Sequence, residues 1–424
     1  MIGSLNKNDR EVVIVGAGIA GMLAAFNLDR QGYRVTLLEE NKRAGGLIKT
    51  SVTPFGIAES AAHSLLVSEA VLNLCRELGV ELIEPRREAR AKYILRDGKL
   101  RKFPLGIGEA ASALVRAATA RSESNGTPQT LDKWAHRHLG NPALEYLLTP
   151  FVRGIYGVQP AEIGVDAAFP FLKVPAGKTL LGAMLGRRRN GRTKKAKHFS
   201  ATPKFGMSDL VGRLEKELEK RLGSRFRKGE RINIIPTSAN VIIATPAHQA
   251  AQLLAETSPK LCAKLSDVKY TPIVSVTVFV KRASFARPIE GVGVLMPACE
   301  ERGSLGMLFN SSAYGGRVTD EAHHASFTVM MGGTSQRELL SASDEEIAHT
   351  IKKELSVVLG ISGEPLEMVV HRWPRALPQY SAELPDVWRE ARETWCATPG
   401  RLLFGNYTGQ ISLRGMIESA AELV

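Results

Sequence analysis

Residues 12–40 read VVIVGAGIAGMLAAFNLDRQGYRVTLLEE, and this stretch decides the fold. Val12–Val15 is a short apolar, β-branched run, the pattern of a buried strand. The glycines of GAGIAG turn it into a helix expected to run to about Arg30, and Tyr33–Glu39 is expected as a second strand. In such a βαβ unit Gly16 permits the tight turn, Gly18 lets the backbone approach a pyrophosphate, and Gly21 lets helix and strand pack closely. Ile19 and Ala20 open the helix, whose free N–H groups and positive dipole end suit phosphates. Glu39 closes the second strand 23 residues after Gly16, where a carboxylate can meet ribose hydroxyls, with Glu40 beside it. Strand, turn, helix and terminal acid agree, so an ordinary tight turn is the weaker reading.

NAD and FAD share that unit, and the following EENKRAGGLIKT separates them. Arg43 and a second glycine pair, Gly45–Gly46, come directly after the acid. A second place where backbone must come close to a ligand suits a longer, extended cofactor.

Composition sets the frame. A chain of 424 residues exceeds what one core supports, so two or three domains are expected. The start, MIGSLNKNDR, carries charges with no apolar run behind them, and no secretory signal is expected there. Cys75, Cys262, Cys299 and Cys396 are scattered without paired spacing, which argues for reduced thiols in a cytoplasmic setting and against zinc or a disulfide framework. The net charge of +13 suits an anionic partner. Seven of the positive charges lie in RRRNGRTKKAK, residues 187–197. No aromatic is interleaved there, so a solvated basic loop, or one resting on anionic lipid, is expected rather than a nucleic-acid site.

The run from Gly16 to Thr50 resembles the flavin amine oxidase superfamily, and the resemblance implies tightly held FAD. Residues 240–254, NVIIATPAHQAAQLL, look like the superfamily's return to the FAD domain, and residues 403–420, LFGNYTGQISLRGMIESA, like its closing segment. There Gly405, Asn406, Leu413 and Met416 are expected at the flavin, with a helix start able to stabilise negative charge on the reduced ring. Ala61, Ala62, His63 and Ser64 occupy the turn that touches the flavin, and Ile232 is the match for the residue whose backbone meets adenine.

Four stretches point to one branch, the protoporphyrinogen/coproporphyrinogen oxidase family. They are residues 74–104, residues 151–172 (FVRGIYGVQPAEIGVDAAFPFL), residues 303–317 with MMGGTSQREL after them, and residues 372–380 (RWPRALPQY). Together they cover nearly the whole chain in order. The family's substrate is a tetrapyrrole, broad and apolar with propionates at its edge, which needs aliphatic and aromatic walls and cations at one rim. The resemblance puts Gly154 and Tyr156 in one wall, Phe309 beside the macrocycle, and Lys92, with Arg96 as second choice, at the propionates. It implies hydride transfer from a bridging methylene to flavin N5 with loss of a pyrrole N–H proton, so no catalytic side chain is assigned. For His63 a locally satisfied histidine is preferred to a catalytic base.

The chain departs from the family pattern in three places. Arg153 and Val158–Gln159 replace smaller or acidic residues in the expected wall, the ESAAHS turn lacks the usual glycines, and only FRKGERINIIPTSA stands where a strand meander is normal. The expected fold class is α/β. A discontinuous Rossmann-type FAD-binding domain (1–90, 200–262, 398–424) is joined by a helical, membrane-facing region (101–199) and a mixed-sheet substrate domain (263–397). The partner expectations are a tetrapyrrole substrate, an anionic membrane surface with peripheral association, and a second copy of the chain in a homodimer. Two alternatives stay open: another flavin oxidase or desaturase, and a flavin- or tetrapyrrole-binding partner without turnover.

Overall fold

The computed structural model of the chain describes residues 1–89, 91–123, 128–189 and 199–423. It opens with β1 (Glu11–Val15), α1 (Ile19–Arg30) and β2 (Arg34–Glu39). β1 pairs in parallel with β2 on one side and with Asn240–Ile243 on the other. Phe226–Lys228 outside β2 and Arg401–Leu403 outside Asn240–Ile243 complete a five-stranded parallel sheet. The chain therefore winds outward from β1 in both directions. Its switch point, where such sheets bind ligands, lies beyond the C-terminal ends of β1 and Asn240–Ile243.

Both faces of this sheet are covered, which is why its strands read as continuous apolar runs. On one face α1 packs with Glu69–Leu78, Met207–Leu222 and Leu413–Ala421. In Met207–Leu222 the residues Leu210, Leu214, Leu218 and Leu222 recur every fourth position, and all four are buried. On the other face lie Ala247–Leu254, Pro259–Ser266 and Leu384–Glu393.

A second, mixed sheet has seven strands, in the order Glu367–Pro378, Tyr270–Lys281, His324–Gly332, Gly306–Leu308, Gly293–Leu295, Lys92–Arg96 and Lys99–Arg101. The hairpin Lys92–Arg101 thus joins strands some two hundred residues away, through a parallel pairing of Lys92–Ile94 with Gly293–Leu295. Tyr270–Lys281 is flanked by a strand on each side, and every residue from Thr271 to Val280 is buried. The alternation in PIVSVTVFV is therefore between two covered faces. Val274, Val276, Val278 and Val280 pack into a core with Ile347 and Ile351, while Ser275 and Thr277 face the nucleotide-binding half.

In chain order the hairpin is followed by helices Ile107–Thr119, Leu131–His138, Thr149–Tyr156 and Leu180–Arg189. Most of the basic stretch 187–197 and part of the SESNGTPQ linker lie outside the described residues. Among the described residues no helix is long and apolar enough to cross a membrane.

Candidate functional site

A cavity of about 590 Å³ opens at the switch point and continues to the face of the seven-stranded sheet. Fifteen of the residues singled out for the cofactor line it: Gly16, Gly18, Ile19, Ala20, Glu39, Glu40, Gly45, Gly46, Ala61, Ala62, Ile232, Gly405, Asn406, Leu413 and Met416. Four do not. Gly21 is a packing residue, since a Cβ there would lie 1.9 Å from the Gly16 carbonyl oxygen. Arg43 clamps the glycine turn by donating to the carbonyls of Gly46 and Ile48. His63 and Ser64 line a separate, smaller cavity.

The glycines form a cradle. Gly16 adopts φ +100° and donates to the Leu38 carbonyl, tying the turn to β2. A Cβ on Gly18 would meet no atom within 4 Å, so its open side faces the cavity it lines. Gly45 donates to the Ala17 carbonyl and brings Gly46 up to Gly18, a Cβ on Gly46 lying 3.5 Å from the Gly18 Cα. The buried Glu39 carboxylate accepts from the Ala17 N–H (2.7 Å) and from the backbone and side chain of Asn41 (3.0 and 2.8 Å). It therefore fixes the turn, and a carboxylate with about four acceptor sites still has capacity for a ligand hydroxyl. Glu40 accepts from Gln249 across the cavity rim.

The shortened segment after Met207–Leu222 still reaches this end. Gly229 donates to the Asn41 carbonyl and Glu230 to the Glu39 carbonyl, which lays Glu230–Asn233 along the cavity. At the far end Ser412 caps helix Leu413–Ala421 through the Gly415 N–H, and the first turn of that helix faces the cavity with Leu413 and Met416. Tyr380 donates to the Asn406 carbonyl at 2.5 Å and holds the closing loop.

Residues that sequence reasoning passed over complete the wall: Ile155, Tyr270, Ile273, Ser275, Met330, Trp373 and Arg375. Trp373 is locked by donating to the Ser60 carbonyl at 2.7 Å. The Tyr270 hydroxyl accepts from the Ala247 N–H, and burial pushes its pKa up to about 12, so it stays neutral. Thr245 and Ser275 line the cavity with buried hydroxyls that no protein group satisfies. Arg375 and Arg231 are the arginines of the lining, and neither forms an ion pair with a described residue. The RWPRALPQY stretch held the signal for Trp373 and Arg375. The strand bulges here, opposite Thr271–Ile273, and Trp373, Arg375, Ala376 and Leu377 all line the cavity.

The expected substrate residues fare differently. Gly154 and Tyr156 lie on helix Thr149–Tyr156, but it is Ile155 between them that reaches the cavity. A Cβ on Gly154 would press to 2.3 Å of Leu295, and Tyr156 packs on Phe169 and Tyr380. Arg153 and Val158 are buried in protein, Arg153 donating to the Met296 carbonyl, so neither alters the cavity wall as the sequence suggested. Phe309 is fully buried against Phe327 and borders only the smaller cavity. Lys92 is exposed on its strand and lines neither cavity. Arg96 is committed elsewhere: its guanidinium pairs with both Glu109 oxygens (2.6 and 2.9 Å) and stacks on Tyr146. That bidentate bond holds the Glu109 carboxyl down to about 2.

The family model for flavin containing amine oxidoreductases matches residues 19–422. The chain belongs to that family. It is similar to protoporphyrinogen oxidase 2, chloroplastic/mitochondrial, of Arabidopsis thaliana, with 26% identity across 98% of this chain and 94% of the relative. It is also similar to coproporphyrinogen III oxidase of Bacillus subtilis, with 22% identity across 95% and 94% of the two chains. A solved structure from Exiguobacterium sp., named as a candidate protoporphyrinogen oxidase, superposes with a TM-score of 0.77 at 20% identity, covering 99% of this chain and 98% of that one. The protein is an FAD-dependent oxidoreductase. The residues present fit the cofactor: Gly18 leaves its backbone bare toward the cavity with Gly46 packed beside it, and unsatisfied hydroxyls and a helix start line the same space.

Proposed function

We propose that the protein oxidises a porphyrinogen, protoporphyrinogen IX or coproporphyrinogen III, to the porphyrin in haem biosynthesis, with dioxygen as final electron acceptor. The observation that carries this reading is the continuity of one cavity. Its glycine-walled half runs into an apolar half framed by Ile155, Ile273, Met330, Trp373 and Leu377. A broad, apolar macrocycle buried beside a flavin needs such a surface, with polar groups confined to its rim. Relatives named for both porphyrinogens support the substrate class.

FAD supplies the hydride acceptor when bound. The chain's own residues bind and orient. Gly16, Gly18, Ile19, Ala20 and the Gly45–Gly46 pair hold the phosphates, and Glu39 with Ile232 holds the adenosine part. Gly405, Asn406 and the helix start at Leu413–Met416 hold the ring, where the helix dipole favours negative charge. Ile155 and Trp373 press on the apolar substrate and exclude water, which strengthens the remaining electrostatic contacts.

Arg375 anchors a substrate carboxylate, the role the sequence had suggested for Lys92. A charge-assisted hydrogen bond contributes about 1.5–3 kcal/mol, so Arg375→Ala should raise the Michaelis constant about tenfold or more. Flavin reduction at saturating substrate should change little, and Lys92→Glu should leave both unchanged. Stopped-flow reduction across a substrate series checks this. An unchanged Michaelis constant in Arg375→Ala removes that anchor.

Association with an anionic membrane surface belongs to the same proposal. Ile107, Leu114 and Val115 on one helix and Met184 and Leu185 on another are exposed, with Phe103 and Phe171. The two helices touch, which gathers apolar side chains near basic residues. Sedimentation with anionic vesicles, and its loss in Ile107→Glu with Leu114→Glu, tests it.

A further inference from the structure

The turn that carries Ala61 and Ala62 into the main cavity continues with His63 and Ser64, which line the second cavity, of about 40 Å³. Glu59, Asn310, Tyr314 and Arg317 line it too. That is room for a water molecule with several polar partners. Most of these partners are fixed by protein. Glu59 accepts from the Thr50 hydroxyl (2.7 Å) and the Met207 N–H (2.9 Å), and Arg317 donates to the Pro203 and Lys204 carbonyls. The Ser200 hydroxyl bridges Tyr314 (2.7 Å) and Ser64 (3.2 Å).

Two imidazoles break the pattern. The Nε2 atoms of His63 and His371 are both buried, and neither has a protein partner. An unsatisfied buried polar atom costs about 1–3 kcal/mol, so a pair of them in one place calls for an explanation. His371 stands directly across the sheet from Ser275, whose buried, unsatisfied hydroxyl lines the main cavity. Two residues further along the strand, Thr277 bonds Thr328 (3.3 Å) and Asn310, which borders the small cavity, donates to Thr328 (2.9 Å). Polar side chains therefore stand on this sheet face between the main cavity and the small one.

We infer that His371, His63 and the small cavity form the proton outlet of the flavin site. This rests on the reading that a porphyrinogen is oxidised. Each round removes one carbon-bound hydrogen with its electron pair, taken by the cofactor, and one nitrogen-bound hydrogen as a proton. The N–H bond breaks, and its electron pair stays on the substrate in the new conjugated system. The proton passes by way of Ser275 to an imidazole Nε2, and from His63 to the Glu59 carboxylate at the small cavity. The imidazoles act as relays, not as groups that bind substrate.

The electrostatics suit a relay that is empty at rest. Burial first, and the charge of His371 second, lower the His63 pKa to about 4, so the ring is neutral at pH 7. Burial and the charge of Lys49 lower that of His371. The other charged or titratable groups facing the pair are Glu59, held above the usual carboxylate range by burial, with Tyr314 and Arg317.

The test uses the complete holoenzyme. Histidine ring nitrogens are followed by NMR against pH in the oxidised protein and after reduction with dithionite, which needs no porphyrinogen. Negative charge arriving at the flavin should move the His63 titration upward. His63→Gln should keep its FAD yet release protons about a hundredfold more slowly in an anaerobic single turnover followed with a pH indicator. Added imidazole should restore the rate, and His371→Gln should repeat the loss. A His63 titration indifferent to the flavin's redox state, or wild-type proton release in both variants, overturns the outlet. If no porphyrinogen reduces the flavin while His63 still responds to dithionite, the substrate reading fails and takes the proton source with it, and only the coupling of His63 to the flavin stands. Should either variant fail to fold, the redox-linked titration of the unaltered holoenzyme decides.

Discussion

Replacing Gly18 by leucine should give a protein that folds normally and carries no flavin. The backbone at Gly18 has φ −63° and ψ 174°, which any L-residue adopts. A Cβ there meets nothing within 4 Å, so the folded protein without cofactor has no steric objection to a side chain. The side chain would instead enter the cavity that Gly18 lines, where the pyrophosphate must approach the backbone. Losing that approach forfeits several hydrogen bonds to a charged group, so affinity should fall by about a hundredfold or more. Thermal unfolding of the cofactor-free forms should coincide, while FAD titration separates them. Gly21→Leu is the contrast, because its Cβ overlaps the Gly16 carbonyl and should damage folding itself. A Gly18→Leu protein that remains yellow and binds FAD as tightly as the original would show that the cofactor lies elsewhere.

Gly157→Val should destabilise the fold by about 3–5 kcal/mol. Gly157 ends helix Thr149–Tyr156 at φ +67°, in the left-handed region that a β-branched residue resists. A Cβ would also lie 2.7 Å from Thr271 Cγ2 and 2.8 Å from Ile273 Cδ1. The Gly157 carbonyl accepts from the Thr334 N–H, so backbone and sheet are locked at this point. Moving the helix end moves Ile155, and the substrate-side wall with it. Gly177 provides a control: its φ is +73° and no atom lies within 4 Å of its Cβ position. Gly177→Val should lose only the conformational part, about 1–2 kcal/mol. Urea unfolding of the two variants checks the difference, and equal losses would remove the docking contact from the account.

The first βαβ unit was legible almost to the residue because everything that shapes it is local. β1, the turn, α1 and β2 follow one another within thirty residues, and Glu39 bonds back to Ala17. Strand Asn240–Ile243 and the closing segment were readable for the same reason, as apolar runs bounded by glycine or proline. The seven-stranded sheet was not, since pairing Lys92–Ile94 with Gly293–Leu295 depends on contacts no local pattern encodes. The rotation of helix Thr149–Tyr156 was hidden likewise. FVRGIYG announces a tightly packed surface, but which residue faces the cavity depends on where Leu295 and Phe169 lie. This explains why Gly154 and Tyr156 were named and Ile155 was missed. A cation looks the same in sequence wherever it falls. Arg96 is consumed by Glu109 and Lys92 faces solvent, while Arg375 stands at the cavity with no ion-pair partner among the described residues.

The central claim is that one cavity holds FAD and a porphyrinogen together. Anaerobic mixing of the FAD-loaded protein with protoporphyrinogen, and separately with coproporphyrinogen, tests it most directly. Prompt bleaching of the flavin absorbance is expected with at least one of them, then porphyrin fluorescence and peroxide when air is admitted. A flavin that stays yellow with both substrates would contradict it.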